Sequence, residues 1–158
     1  MLSLELVIQQ SIRVQFGSAP PGNPSDSCGD RKLELKVIFT DLPKTAAALR
    51  VARDMARGLR ARITLIATQV VPYPLPLSAP AVPIEFTQRQ LQSIAVEDTA
   101  VEIFLCRDRS ETIRRVLPPD SLVILGSRKT RWWRSWSWER QLARILRTEG
   151  RRVLVVNV

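Results

Sequence analysis

The residues of this chain best suited to binding chemistry crowd into one short stretch. Just after Gly126 and Ser127, the cations Arg128, Lys129, Arg131 and Arg134 are interleaved with Trp132, Trp133 and Trp136. Guanidinium groups pair with phosphates, and indoles stack on bases or rest at an acidic membrane surface. The set therefore fits an anionic partner, either nucleic acid or an acidic membrane. A plainer reading stands beside it: arginine outnumbers lysine 20 to 4 in the whole chain, so these arginines also fit simple solvation of a surface. The tryptophans likewise fit a hydrophobic lid over a crevice.

Other chemistries are excluded by what the sequence lacks. There is no histidine, which removes a Ser-His-Asp triad, a Cys-His dyad, an H-E-x-x-H zinc site and any histidine general base. Catalysis would have to use carboxylates, lysine or a bound cofactor. Cys28 and Cys106 are far apart and lack C-x-x-C spacing, a pattern of reduced thiols rather than a disulfide framework or a metal site. The net charge is +9, and nine basic residues face only Glu139 and Glu149 between Gly126 and Arg152, so most of the excess sits there. That asymmetry again points to a polyanion or an anionic surface. No apolar run approaches the roughly 20 residues needed to span a bilayer. MLSLELVIQQSI lacks a basic start, and Glu5 breaks its apolar run, so we expect no secretory signal and a cytoplasmic protein.

The elements that must position these residues follow from periodicity. Residues 1–30 read as an N-terminal extension, with two alternating patches (Leu2/Leu4/Leu6/Ile8 and Ile12/Val14/Phe16) before the Gly/Pro/Ser-rich linker GSAPPGNPSDSCGD. The folded domain is expected over residues 31–158. LELKVIFT (33–40) reads as a buried strand and residues 45–61 as an amphipathic helix, with Gly58 near its stop. RITLIATQVV (62–71) is a second strand. Five prolines from Pro72 to Pro83 exclude regular structure until a short helix resumes at Thr87. AVEIFLC (100–106), a helix over 110–117, SLVILG (121–126), a helix over 138–148 and RVLVVNV (152–158) complete the pattern. Strand and helix alternate five times, which predicts an α/β fold: a five-stranded parallel sheet with helices on both faces.

In such a sheet, ligands bind beyond the carboxyl ends of the strands, where the strand order reverses. Those ends carry Asp41, Gln69 to Val71, Arg107 with Asp108, and Gly126 with Ser127. Each has a structural alternative. Asp41 suits the cap of the following helix, and Gly126 with Ser127 suits a plain strand-to-loop turn. Trp138, Leu142, Ile145 and Leu146 share one helical face and are expected to meet the sheet.

The order VIFTD, an alanine-rich helix, RITLIATQVVP, a variable loop, VEIFLCRDRSETI, SLVILGSR and RRVLVVNV resembles the universal stress protein family over residues 33–158. The resemblance implies a Rossmann-like, adenine nucleotide alpha hydrolase-like fold, a regulatory rather than enzymatic role, and a homodimer joined through the last strand. It also implies ATP as the ligand, held by an aspartate ending the first strand and a G-x2-G-x9-G-[S/T] loop after the fourth. By that correspondence the nucleotide-binding residues are Asp41, Val70, Gly126, Ser127 and Lys129. Only Gly126 of the three glycines is present: Lys129, Glu139 and Arg140 stand at the remaining positions. Side chains there obstruct the close backbone approach that a phosphate loop needs. The expectation is therefore weakened or lost ATP binding. The alternatives are an adaptor whose Arg/Trp segment holds an anionic partner, and an ATP-binding or hydrolysing stress protein.

Overall fold

The computed structural model describes residues 11–15 (main chain), 33–95, 99–129 and 137–158. Its strands are β1 (Ser11–Gln15), β2 (Glu34–Ile38), β3 (Arg62–Val70), β4 (Thr99–Cys106), β5 (Leu122–Ser127) and β6 (Arg152–Asn157). Four helices connect the last five: α1 (Leu42–Leu59), α2 (Ile84–Ile94), α3 (Arg109–Val116) and α4 (Trp138–Thr148). The sheet order is β1-β4-β3-β2-β5-β6, with β2 to β6 all parallel. This is the expected Rossmann-like α/β sheet.

Handedness explains why helices cover both faces. Crossovers between parallel strands are right-handed, so α1 and α2 lie on one face while the chain steps outward from β2 to β4. Once it returns to β5 and moves the other way, α3 and α4 must take the opposite face. Two cores result. Leu35, Val37, Leu65, Val101 and Ile103 meet Ala48, Leu49, Ala52 and Leu91 on one side. Ile38, Ile66, Val123 and Leu125 meet Ile113, Leu142 and Leu146 on the other.

As an inner strand, β2 is apolar except at Glu34 and Lys36. Only 6% exposed, this lysine is neutralised by Glu34 at 2.6 Å, and Glu34 also accepts a hydrogen bond from the Thr64 hydroxyl. A charge so placed is tolerable because its partner is on the same strand.

Several boundaries differ from the expectation for identifiable reasons. Helix α1 begins three residues early, because Asp41 caps it and Pro43 is acceptable in a first turn. It ends at Leu59, two residues before the expected end, because Arg60 takes the left-handed conformation (φ 49°) and donates its N–H to the Ala56 carbonyl. Helix α2 starts directly after Pro83 instead of at Thr87.

The sixth strand comes from the N-terminal extension. β1 contains Ile12 and Val14 of the second alternating patch and pairs antiparallel with β4, placing Ile12 opposite Ile103 and Val14 opposite Val101.

Candidate functional site

The strand order reverses between β2 and β5, so their carboxyl ends border the crevice in which this architecture holds ligands. Asp41 ends the β2 segment in extended backbone (φ −143°, ψ 168°). Its Oδ1 accepts the Lys44 N–H at 2.9 Å, which makes it the N-cap of α1. The Lys44 side chain then folds back over that turn. Its ammonium lies 2.8 Å from Asp41 Oδ2 and 2.7 Å from Glu139 Oε1.

Glu139 stands in the first turn of α4, a position that favours a carboxylate. It is 9% exposed, and the Lys44 side chain is 16% exposed. Burial pushes the Glu139 carboxyl up, but the hydrogen bond and charge of Lys44 outweigh it and hold the group below its ordinary value. The same opposition leaves Asp41 lowered, with Arg128 adding to the effect. Lys44 is raised, first by its bond to Asp41 and then by its bond to Glu139. One cation is thus shared by two carboxylates.

Gly126 lies beneath this cluster. A Cβ on it would stand 2.3 Å from the Lys44 carbonyl oxygen and 2.6 Å from its carbonyl carbon. The glycine therefore has a packing reason that requires no ligand: it lets the first turn of α1 rest on the end of β5.

Ser127 is fully buried, and its main chain continues the sheet by accepting the Val158 N–H at 2.9 Å. The Lys129 N–H is likewise taken up by Val158, and the Arg128 carbonyl accepts from Arg140. Backbone donors that would face a phosphate in a glycine-rich loop are here partly spent on the sheet. Val70 is exposed on the rim, beside the proline-rich loop. That loop is pinned by the Arg107 guanidinium, which donates to the Val71 and Leu75 carbonyls and lies over the Tyr73 ring.

Asp41, Gly126 and Arg128 are thus brought together, with Ser127 and Lys129 beside them but engaged in β6 pairing. Arg131, Trp132, Trp133, Arg134 and Trp136 lie outside the described residues. Trp138 is half-buried against the α3/α4 core, donates its ring N–H to the Ser110 hydroxyl at 3.0 Å, and carries the Arg109 guanidinium on its ring.

Neither a protein-family model nor a curated protein matches the chain.

Lys44 is the residue that sequence reasoning missed. One signal was available: a lysine in the first turn of a helix opposes the positive end of the helix dipole, so it needs carboxylate partners to be stable there. Lys44 is already satisfied by two carboxylates, and a phosphate approaching it would meet their charge. No group of three or more metal-ligating side chains occurs among the described residues. Nor is any described helix long and apolar enough to cross a membrane.

A second basic feature lies along α4. Arg140, Arg144 and Arg147 follow at i, i+4 and i+7, one stripe of a helix face. None of the three forms an ion pair among the described residues.

Proposed function

We propose that the protein is a non-enzymatic binding module of the universal-stress-protein kind, with its nucleotide crevice given over to an internal ion-pair cluster. It works as a two-fold pair joined along β6. The observation that carries the first part is the Lys44 ammonium held between Asp41 and Glu139. A nucleotide phosphate would have to displace two carboxylates from that ammonium, or bind elsewhere. Isothermal titration of ATP with magnesium is expected to give no measurable heat at micromolar nucleotide. Tight, magnesium-dependent binding would overturn this reading and shift attention to Arg128 and Lys129 as phosphate ligands.

The pairing is supported by the character of β6. It lies at the edge of the sheet, with apolar residues on both faces and an outward row of backbone groups of which the Val153 carbonyl accepts from Arg147, and natural proteins cover such an edge.

A second reading, an anionic partner, is favoured by the arginine stripe on α4, which carries no ion pair among the described residues. Single-stranded nucleic acid is the partner to test first, because phosphates along a strand can meet successive arginines. If it binds there, replacing Arg140 and Arg144 with alanine flattens the dependence of log K on log salt by about 1.4, or about 0.7 per lost phosphate contact. An unchanged slope would remove the stripe from the interface. Binding that instead tracks the acidic-lipid fraction of vesicles would assign the stripe to a membrane surface.

A further inference from the structure

Strand β1 forms the margin of the sheet opposite β6 and, among the described strands, pairs with β4 alone. Residues 16–33 separate it from β2, whereas β2–β6 and the four helices build both described cores. The parallel sheet can therefore end at β4, and the composition of β4 suits an edge. Between their first and last residues β3 and β5 carry no charge, but β4 has the half-buried Glu102 at its middle, between the buried Val101 and Ile103. A charge set into an apolar strand is one way in which an edge resists indiscriminate pairing. The register places Arg13 opposite Glu102, with Ile12 opposite Ile103 and Val14 opposite Val101. An incoming strand with an apolar, basic, apolar order matches these three positions, and one with an acidic residue at the middle is repelled.

We propose that the β4 edge is a peptide-binding site, occupied in the free protein by β1, and that β1 gives way there to an extended segment of a partner protein with the same apolar–basic–apolar order. Strand addition to an edge draws affinity from main-chain hydrogen bonds and selectivity from alternate side chains. The β1–β4 ladder supplies the template for both. Exchange is open to competition because a link as long as residues 16–33 acts as an effective concentration only on the order of millimolar. A partner segment displaces β1 once its concentration exceeds that value scaled by the ratio of the two intrinsic affinities. The site lies at the margin opposite β6 and does not depend on the pairing put forward above.

The probe is the peptide QQSIRVQF, residues 9–16, acetylated and amidated to remove its terminal charges. Titrated into the full chain and followed by amide NMR, it is expected to shift the β4 resonances, with half-saturation at about millimolar peptide because the tethered copy competes. Arg13→Glu in the chain sets like charges opposite each other, and should lower the half-saturating concentration of the unmodified peptide about three- to tenfold. A peptide carrying the same Arg13→Glu change should bind the unmodified chain more weakly and regain affinity for a Glu102→Lys chain. Hydrogen exchange on the unmodified chain gives a reading without substitutions: the β1 amides should exchange at least about a hundredfold faster than those of β2 and β3, through local opening. Equal protection of β1 and β2, or an Arg13→Glu chain that unfolds, overturns the proposal by making β1 part of the cooperative core. So do β4 resonances that do not move, or a half-saturating concentration that Arg13→Glu leaves unchanged. Self-association of the chain that Arg13→Glu abolishes would give the site to β1 of a second copy and overturn the separate partner.

Discussion

Gly126→Ala is expected to destabilise the protein by about 3 kcal/mol, at the upper end of overpacking effects, and to lower Tm by about 10 °C. Gly126 does not have the positive φ that would strain an alanine, so the cost is steric rather than conformational. The atoms met by the new methyl group belong to the Lys44 main chain, which cannot swing aside as a side-chain end could. That turn is anchored three ways: by the Asp41 cap, by the contact with β5, and by the ion pairs of Lys44 itself. Gly58→Ala is the internal control. Nothing lies within 4 Å of its added Cβ, and its helical position should gain about 0.5–1 kcal/mol from the substitution. Urea denaturation of both variants checks the pair. An unchanged midpoint for Gly126→Ala would mean that α1 does not rest on β5 as described.

Lys44→Met should cost about 2–3 kcal/mol. Breaking a fully buried ion pair costs about 3–5 kcal/mol, and the figure is reduced here because the Asp41 side chain is 40% exposed and can recover water. Most of the loss comes from Glu139, left in a site that excludes solvent. A second substitution, Glu139→Met, is therefore expected to restore at least half of it, which a role for Lys44 in packing alone would not produce.

The pH dependence has a definite sign. Glu139 and Asp41 titrate below their ordinary values of 4.5 and 3.8 in the folded chain, so the unfolded chain binds more protons in acid. Their stabilisation is present above those values and is lost as pH falls through and below them. Lys44 titrates above 10.5, so its contribution is full below that pH and is lost as pH rises past it. The stability gap between wild type and Lys44→Met should be constant from about pH 5 to 10 and shrink on either side. A gap independent of pH down to about pH 2 would show that the carboxylates are not what Lys44 stabilises.

Sheet and helices were legible because the governing signals are local. VIFT and VILG are short apolar runs between turn residues, and Ala48, Leu49 and Ala52 repeat with helical spacing. The boundaries that moved did so through single residues whose effect depends on backbone geometry. Asp41 drew the start of α1 back by capping it, and Arg60 ended it two residues short of the expected Ala61 by adopting a conformation more typical of glycine. The crevice was legible in position but not in content. Gly126 can be read from the sequence as a site where backbone must approach closely, yet nothing local says whether the approaching group is a phosphate or the carbonyl of Lys44. The bond between Lys44 and Glu139 joins residues 95 apart, and only the strand order brings the first turns of α1 and α4 to one place.

Sheet order also fixes a sequence of events at the ribosome. Ser11–Gln15 is made early, but its place in the sheet exists only once Thr99–Cys106 has been synthesised. At about 5–20 residues per second, β1 waits roughly 5–20 seconds without its partner. During that interval Ile12 and Val14 are free to meet chaperones or the wrong strand. The far edge is built differently, because β5 precedes β6 by a single helix and is ready when β6 emerges. One margin of the sheet is closed late by a strand made early, and the other is laid down in the order of translation.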